Sequence, residues 1–151
     1  MKHISHSIEF QTDKFDLTGE LDEEVNAGNK FYGEDMSKWL CSELKEWDAD
    51  YLDEDWGWLV VANRNGDLDN FNEICIYAYN DENQQTNYGS WAIVIHSKYK
   101  KPFLKFFTKK QYGEADKQIV NDIIQALGKV GINNYISKQQ DGFNLEFTEN
   151  A

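Results

Sequence analysis

Five carboxylates, Asp48, Asp50, Asp53, Glu54 and Asp55, fall within eight residues and lead directly into Trp56, Gly57 and Trp58. Carboxylates crowded in this way can do chemistry of two kinds. Neighbouring like charges push pKa values apart, so that one group serves as acid and another as base, and several oxygens together can gather a divalent cation. They can also do no chemistry and form a charged surface around an aromatic anchor, suited to a basic partner. No motif of known catalytic mechanism accompanies the cluster, and this favours the surface.

Other chemistry-bearing residues are scattered. His3, His6 and His96 with Cys41 and Cys75 contain no Cys-x-x-Cys or His-Glu-x-x-His spacing, so a zinc site would require long-range convergence. Neither cysteine has a histidine close in sequence, which leaves nucleophilic catalysis unsupported and two reduced, buried thiols expected. Residues 63–73 place oxygen ligands at alternate positions, as a calcium loop does. Glycine, however, falls fourth instead of sixth and glutamate eleventh instead of twelfth. There is no phosphate-cradling glycine loop and no Gly-x-Ser-x-Gly elbow. The expectation is therefore no catalytic residues, no metal and no cofactor, with an enzyme kept as the less favoured alternative: a metal-assisted hydrolase using the 48–55 carboxylates.

The 151 residues carry a formal charge of −12, and its distribution matters more than its size. Residues 1–55 hold 16 acids and 5 lysines, net −11, whereas residues 96–151 hold 6 acids and 9 lysines, net +3. The acidic third repels phosphate backbones and attracts basic proteins. Arg64 is the only arginine, which leaves little for bidentate phosphate recognition. Lysines 98, 100, 101, 105, 109 and 110 interleave with aromatic residues between Tyr99 and Tyr112. This run has the ingredients of a single-strand stacking platform, but it suits equally a patch for an acidic partner, or for the protein's own acidic third in a homodimer. The partner expected is a basic protein, with no nucleic acid and no membrane. No stretch approaches the length of a membrane-spanning helix, and residues 1–7 lack the apolar segment of a secretory signal, so a cytoplasmic protein is expected.

Periodicity supplies the elements that must position these residues. Residues 4–10 alternate as a half-buried strand, with Ile4, His6, Ile8 and Phe10 on one face and Ser5, Ser7 and Glu9 on the other. Residues 12–29 read as a solvated acidic connection, long enough to hold a short helix or a contact surface. Met36, Trp39, Leu40, Leu44 and Trp47 form one stripe of a helix over 33–47, in which Glu34 can pair with Lys38. An acidic turn at 48–55 then precedes strands at 56–63, 73–79 and 88–96, joined as an antiparallel meander. Pro102 should end or kink whatever enters it. A second helix over 115–130 carries Ile119, Val120, Ile123, Leu127 and Val130 and stops at Gly131. A closing hairpin over 135–138 and 143–147 turns at 139–142, where Asp-Gly supplies the positive dihedrals. The fold expected is a single α+β domain over residues 1–151: two helices on a largely antiparallel sheet of five to six strands, in the order β-α-β-β-β-α-β-β.

The stretch from Gly33 to Leu44 followed by Glu54-Asp55-Trp56-Gly57-Trp58 and an apolar strand resembles a loosely defined set of small bacterial proteins. In that set an amphipathic helix with a Gly-Glu/Asp start precedes a strand entered through Glu-Asp-Trp-Gly-Trp. The match spans about 30 residues, and the set carries no assigned function. The resemblance implies a bacterial origin and an α+β domain and transfers no site residues. Taken together, the sequence points to a small acidic cytosolic binding protein, an inhibitor of the immunity or antitoxin type. Asp48, Asp50, Asp53, Glu54, Asp55 and Trp56 would occupy a basic site such as that of a nuclease toxin. A structural homo-oligomerising domain is the remaining alternative.

Overall fold

The computed structural model describes residues 1–102 and 108–143. Its elements are β1 (Ile4–Thr12), a 3-10 turn (Val25–Gly28), α1 (Glu34–Glu43), β2 (Asp48–Glu54), β3 (Gly57–Asn63), β4 (Phe71–Tyr79), β5 (Gly89–Pro102), β6 (Thr108–Tyr112), α2 (Lys117–Lys129) and β7 (Tyr135–Asp141). One seven-stranded sheet runs in the order β2-β3-β4-β5-β1-β7, every strand pair antiparallel, and β6 pairs with the second half of β5. The class is α+β with two helices, as the sequence implies. The strand count is higher, and the order is β-α followed by five strands, then α-β.

Both helices pack on one face of this sheet. Met36 and Leu40 of α1 and Ile119, Ile123 and Leu127 of α2 join Ile8, Val60, Ile74, Ile76, Trp91, Ile93 and Ile95 of the strands in one core, each at most 1% exposed. Burying each such aliphatic side chain contributes roughly 1.5–3 kcal/mol, which is why these stripes dictate where the helices sit. Asp116 caps α2 by accepting from the Gln118 amide at 2.8 Å. The helix stops at Lys129 and Gly131 follows at φ +81, as its placement in the sequence anticipates.

Six expectations need correction. The acidic stretch 48–55 is not a turn but an edge strand through residue 54. Alternation explains this, since Ala49 and Tyr51 point to the core and their burial outweighs the poor strand propensity of the aspartates. Strand β1 is not half-buried. It lies between β5 and β7, so Ser5, Ser7 and Glu9 are as buried as Ile8. Residues 12–29 are not simply solvated, because Phe15 and Leu17 enter the core, Phe15 against Trp39 and Trp91. The first helix ends at Glu43, and Trp47 lies beyond it, its indole N–H donating to Asp122 at 2.8 Å and its ring beneath Arg64. Lys38, expected beside Glu34, lies instead over the Tyr51 ring. Finally, β7 continues through residues 139 and 140 to Asp141, held by seven register pairs to β1. Gly142, at φ +57, follows the strand, and residues 144–147 of the expected second arm lie outside the described residues.

The approach to α1 is sterically exacting. Gly33 sits at φ +142, and a Cβ there would meet Trp58 Cδ1 at 2.8 Å. The Trp58 indole is itself fixed by its N–H donating to the Phe31 carbonyl at 2.8 Å. A Gly33→Ala substitution is expected to lower unfolding free energy by about 2 kcal/mol, from backbone strain together with displacement of a buried ring. Urea denaturation checks this, and an unchanged midpoint would show that the segment shifts freely.

Candidate functional site

The acidic cluster is built on the β2–β3 hairpin, where Asp48 pairs in register with Asn63 and Glu54 with Gly57, leaving Asp55 and Trp56 as the two-residue connection. Strand alternation divides the cluster. Asp48, Asp50, Leu52 and Glu54 share the side facing away from the helices, while Asp53 lies on the helix side with Ala49 and Tyr51. Asp48, Asp50, Leu52, Asp53, Asp55 and Trp56 are exposed, with Leu52 at 47% and Trp56 at 37%, Glu54 is half-buried and Trp58 is buried. The Trp56 ring leans on Tyr77 of β4, with centroids 5.7 Å apart. Among the described residues, none of these five carboxylates forms an ion pair with a lysine or arginine.

Asp53 behaves differently from its neighbours. Its Oδ1 accepts from the backbone N–H of Asn26 at 2.9 Å and from Asn26 Nδ2 at 2.7 Å. Asn26 is fully buried, and its Nδ2 reaches the Glu54 and Gly57 carbonyls at 2.8 Å each while its Oδ1 accepts from the Phe31 amide. Asn29 Nδ2 adds a bond to the Asp55 carbonyl. The acidic connection is thus tied to the acidic hairpin through Asp53, which remains exposed.

As the sheet's terminal strand, β2 presents a backbone edge. Asp50 Oδ1 accepts from the Tyr51 amide at 2.9 Å, so one donor that a foreign strand would need is already occupied. Charged side chains along an edge and a capped amide discourage strand addition. The hairpin is therefore suited to recognition through carboxylates and the Leu52 and Trp56 side chains. An extended strand also sets successive same-face carboxylates roughly 6–7 Å apart, which disperses them instead of converging them on one ion. No group of three or more His, Cys, Asp or Glu able to hold a metal is present among the described residues.

The scattered histidines and cysteines separate in the fold. His3 Nε2 and His96 Nδ1 meet at 2.9 Å, whereas His6 turns to Ser137 and both thiols are free. Burial pushes the Cys75 thiol up to about 12 and the Cys41 thiol up to about 11, which keeps both in the weakly nucleophilic protonated form. The paired histidines belong to a cluster that sequence spacing did not reveal. His3 stacks on Tyr112 with centroids 4.4 Å apart, and Phe143 closes over both imidazoles. Tyr112 donates to Glu73 at 2.8 Å, and Lys98 reaches the same carboxylate at 3.2 Å. Burial, and then the neighbouring His3, hold His96 down at about 4, and burial lowers His3 as well, so both rings are neutral near pH 7. The cluster joins residue 3 to β4, β5 and β6.

No protein-family model, no curated protein and no solved structure matches this chain. No helix among the described residues is long and apolar enough to cross a membrane.

Proposed function

We propose that the protein is a non-enzymatic binding protein that presents the acidic β2–β3 hairpin to a basic protein partner, as an inhibitor of the immunity or antitoxin type does to a nuclease toxin. The observation carrying this reading is the row of exposed carboxylates at Asp48, Asp50 and Asp55, none in an ion pair among the described residues, beside the exposed Leu52 and Trp56. The charges steer a basic surface inward, and the two apolar side chains supply area that becomes desolvated on contact. Asp53, exposed on the same hairpin, also holds it in shape through Asn26.

The reading fixes a measurable pattern. A partner captured on the immobilised protein at about 50 mM salt should be released at about 300 mM, a range over which exposed charge attraction is strongly screened. The Asp48→Lys/Asp50→Lys/Asp55→Lys variant should bind that partner on the order of tenfold or more weakly, and Trp56→Ala should increase the dissociation rate. Addition of the wild-type protein should suppress the partner's own activity. A partner whose affinity ignored both the salt and the charge reversal would remove the proposal.

A further inference from the structure

The two strands that flank β1 do not begin level with each other. On one side β5 begins at Gly89 opposite Thr12, whereas on the other β7 begins at Tyr135 opposite Phe10. The last two residues of β1, Gln11 and Thr12, are therefore paired on one side alone, and the 130–134 connection stands off from them. Two adjoining hollows open there, of about 420 and about 490 Å³, and both are lined by Gln11, Tyr88 and Asn134. Each lies within the range of small-molecule sites, roughly 300–1,000 Å³.

The walls are held by the fold. Ile132 is buried and its N–H donates to the Leu127 carbonyl at 3.0 Å, which fixes the connection that follows α2. On the β1 side, the Tyr88 hydroxyl donates to Gln11 Oε1 at 3.1 Å, and Gln11 Nε2 donates to Ser90 Oγ at 3.2 Å. Two tyrosines stand exposed along the cleft, Tyr88 at 56% and Tyr135 at 37%. Asn133 and Asn134 are exposed as well, and among the described residues their side-chain amides have no hydrogen-bond partner.

Charge and apolar surface are both slight in this lining. Asp13 and Lys14 offset each other, and the buried Glu9 carboxylate is met by Lys138 at 3.7 Å. In a chain of net −12 this is a nearly neutral patch, suited neither to a polyanion nor to a polycation. Val130 and Ile136 are half-buried, so an apolar ligand would find little surface to cover. What remains is uncharged hydrogen-bonding capacity beside aromatic faces. A carboxamide sets a donor and an acceptor side by side, which matches a pair of neighbouring hydroxyls. A tyrosine face carries partial negative charge and attracts the weakly positive C–H groups on the flat side of a sugar ring.

The geometry points to a binding site for a neutral saccharide, its ring seated on Tyr88 and its hydroxyls held by Asn133 and Asn134. Sheet order places β1 four inter-strand steps from β2, roughly 19 Å at the usual strand spacing. The site is therefore separate from the acidic hairpin and does not rest on that hairpin having a protein partner.

Amide NMR spectra of the isotope-labelled protein test the proposal, in titrations with cellobiose, maltose, lactose and N,N′-diacetylchitobiose, neutral disaccharides that differ in linkage and substituents. At least one of them should shift the amides of Gln11, Tyr88, Asn133, Asn134 and Tyr135, and saturate with a Kd of about 1 mM or below. Tyr88→Ala should weaken that binding about tenfold or more. Asn133→Ala/Asn134→Ala should weaken it about tenfold, the loss expected for roughly two hydrogen bonds. Tyr88→Phe keeps the ring and loses only the bond to Gln11, so it should stay within about threefold of wild type. All three variants should melt like the wild type, because the altered side chains are exposed. No shift with any of the four sugars, shifts confined to residues outside the cleft, or a response to adenosine but to no sugar would each overturn it. So would a Tyr88→Ala variant that binds as wild type, or a Tyr88→Phe variant that binds as weakly as Tyr88→Ala. Tyr88→Ala should still bind a basic partner at the hairpin, so the two sites fail independently.

Discussion

Asn26→Ala is expected to lower unfolding free energy by about 4 kcal/mol, measured by chemical denaturation, and to loosen the acidic hairpin before the rest of the sheet. The Asn26 side chain is fully buried, and its two Nδ2 hydrogens are shared among Asp53 Oδ1 and the carbonyls of Glu54 and Gly57. Its Oδ1 takes the Phe31 amide at 2.7 Å. Truncation strands these partners at roughly 1–3 kcal/mol for each buried group left unsatisfied, discounted where water can reach Asp53. The backbone adds to the loss, because Asn26 sits at φ 53 and ψ 45, where asparagine is tolerated far better than alanine. Asn26→Asp separates the contributions, since it keeps the shape but sets a carboxylate against Asp53 and two carbonyls. It should be at least as destabilising as alanine at pH 7 and recover as the carboxyl is protonated. If Asn26→Ala melts like wild type, the tie between the acidic connection and the hairpin is not what positions the candidate surface.

This tie also shows what could and could not be read from the chain. Asn26 lies in a stretch with no helical or strand periodicity, and apart from Phe31 its side-chain partners are 27 to 31 residues away, so nothing local marks it as buried. The helices and the core strands were legible because 3.6- and 2-residue periods are imposed by burial on one face, as in Ile119, Ile123 and Leu127 or Ile74 and Ile76. Where burial is not one-sided the period says less, and Ser5, Ser7 and Glu9 looked solvent-facing although β1 is flanked on both sides. At β2 the reverse happened. Charge density hid a two-residue alternation whose apolar phase, Ala49 and Tyr51, was enough to make a strand. Within the acidic stretch, register separates Asp53 from Asp48 and Asp50 onto the other side of β2, where it bonds Asn26, and no local pattern marks that difference.

The second large effect concerns acid. His96 is 3% exposed and held down at about 4, against an ordinary 6.5, by its burial and by His3 beside it. Every group facing it takes part: His3 at 2.9 Å, the Tyr112 and Phe143 rings, and Glu73 across the strand pair, whose charge offsets a part of the depression. The unfolded chain binds a proton at this residue below about pH 6.5, while the folded protein does not until about pH 4. Stability contributed by the neutral ring is therefore fully present above pH 6.5 and lost as pH falls from there towards 4. The full loss is about 3 kcal/mol, from a depression of about 2.5 pKa units. His3 protonates more readily, being less buried, and can still donate its Nε2 hydrogen to His96 Nδ1. Once that lone pair is engaged by a cation, His96 resists a proton further, which makes the two titrations one coupled event. His96→Gln removes the titrating group, so its unfolding free energy should fall less steeply between pH 6.5 and 4 than the wild-type value, by about 3 kcal/mol over the interval. Wild-type unfolding near pH 5 should take up about one proton more than the variant. Parallel pH profiles for the two proteins would mean that His96 is charged in the folded state. The pairing that fastens the chain's start to β5 and β6 would then be held by packing on Tyr112 and Phe143 alone.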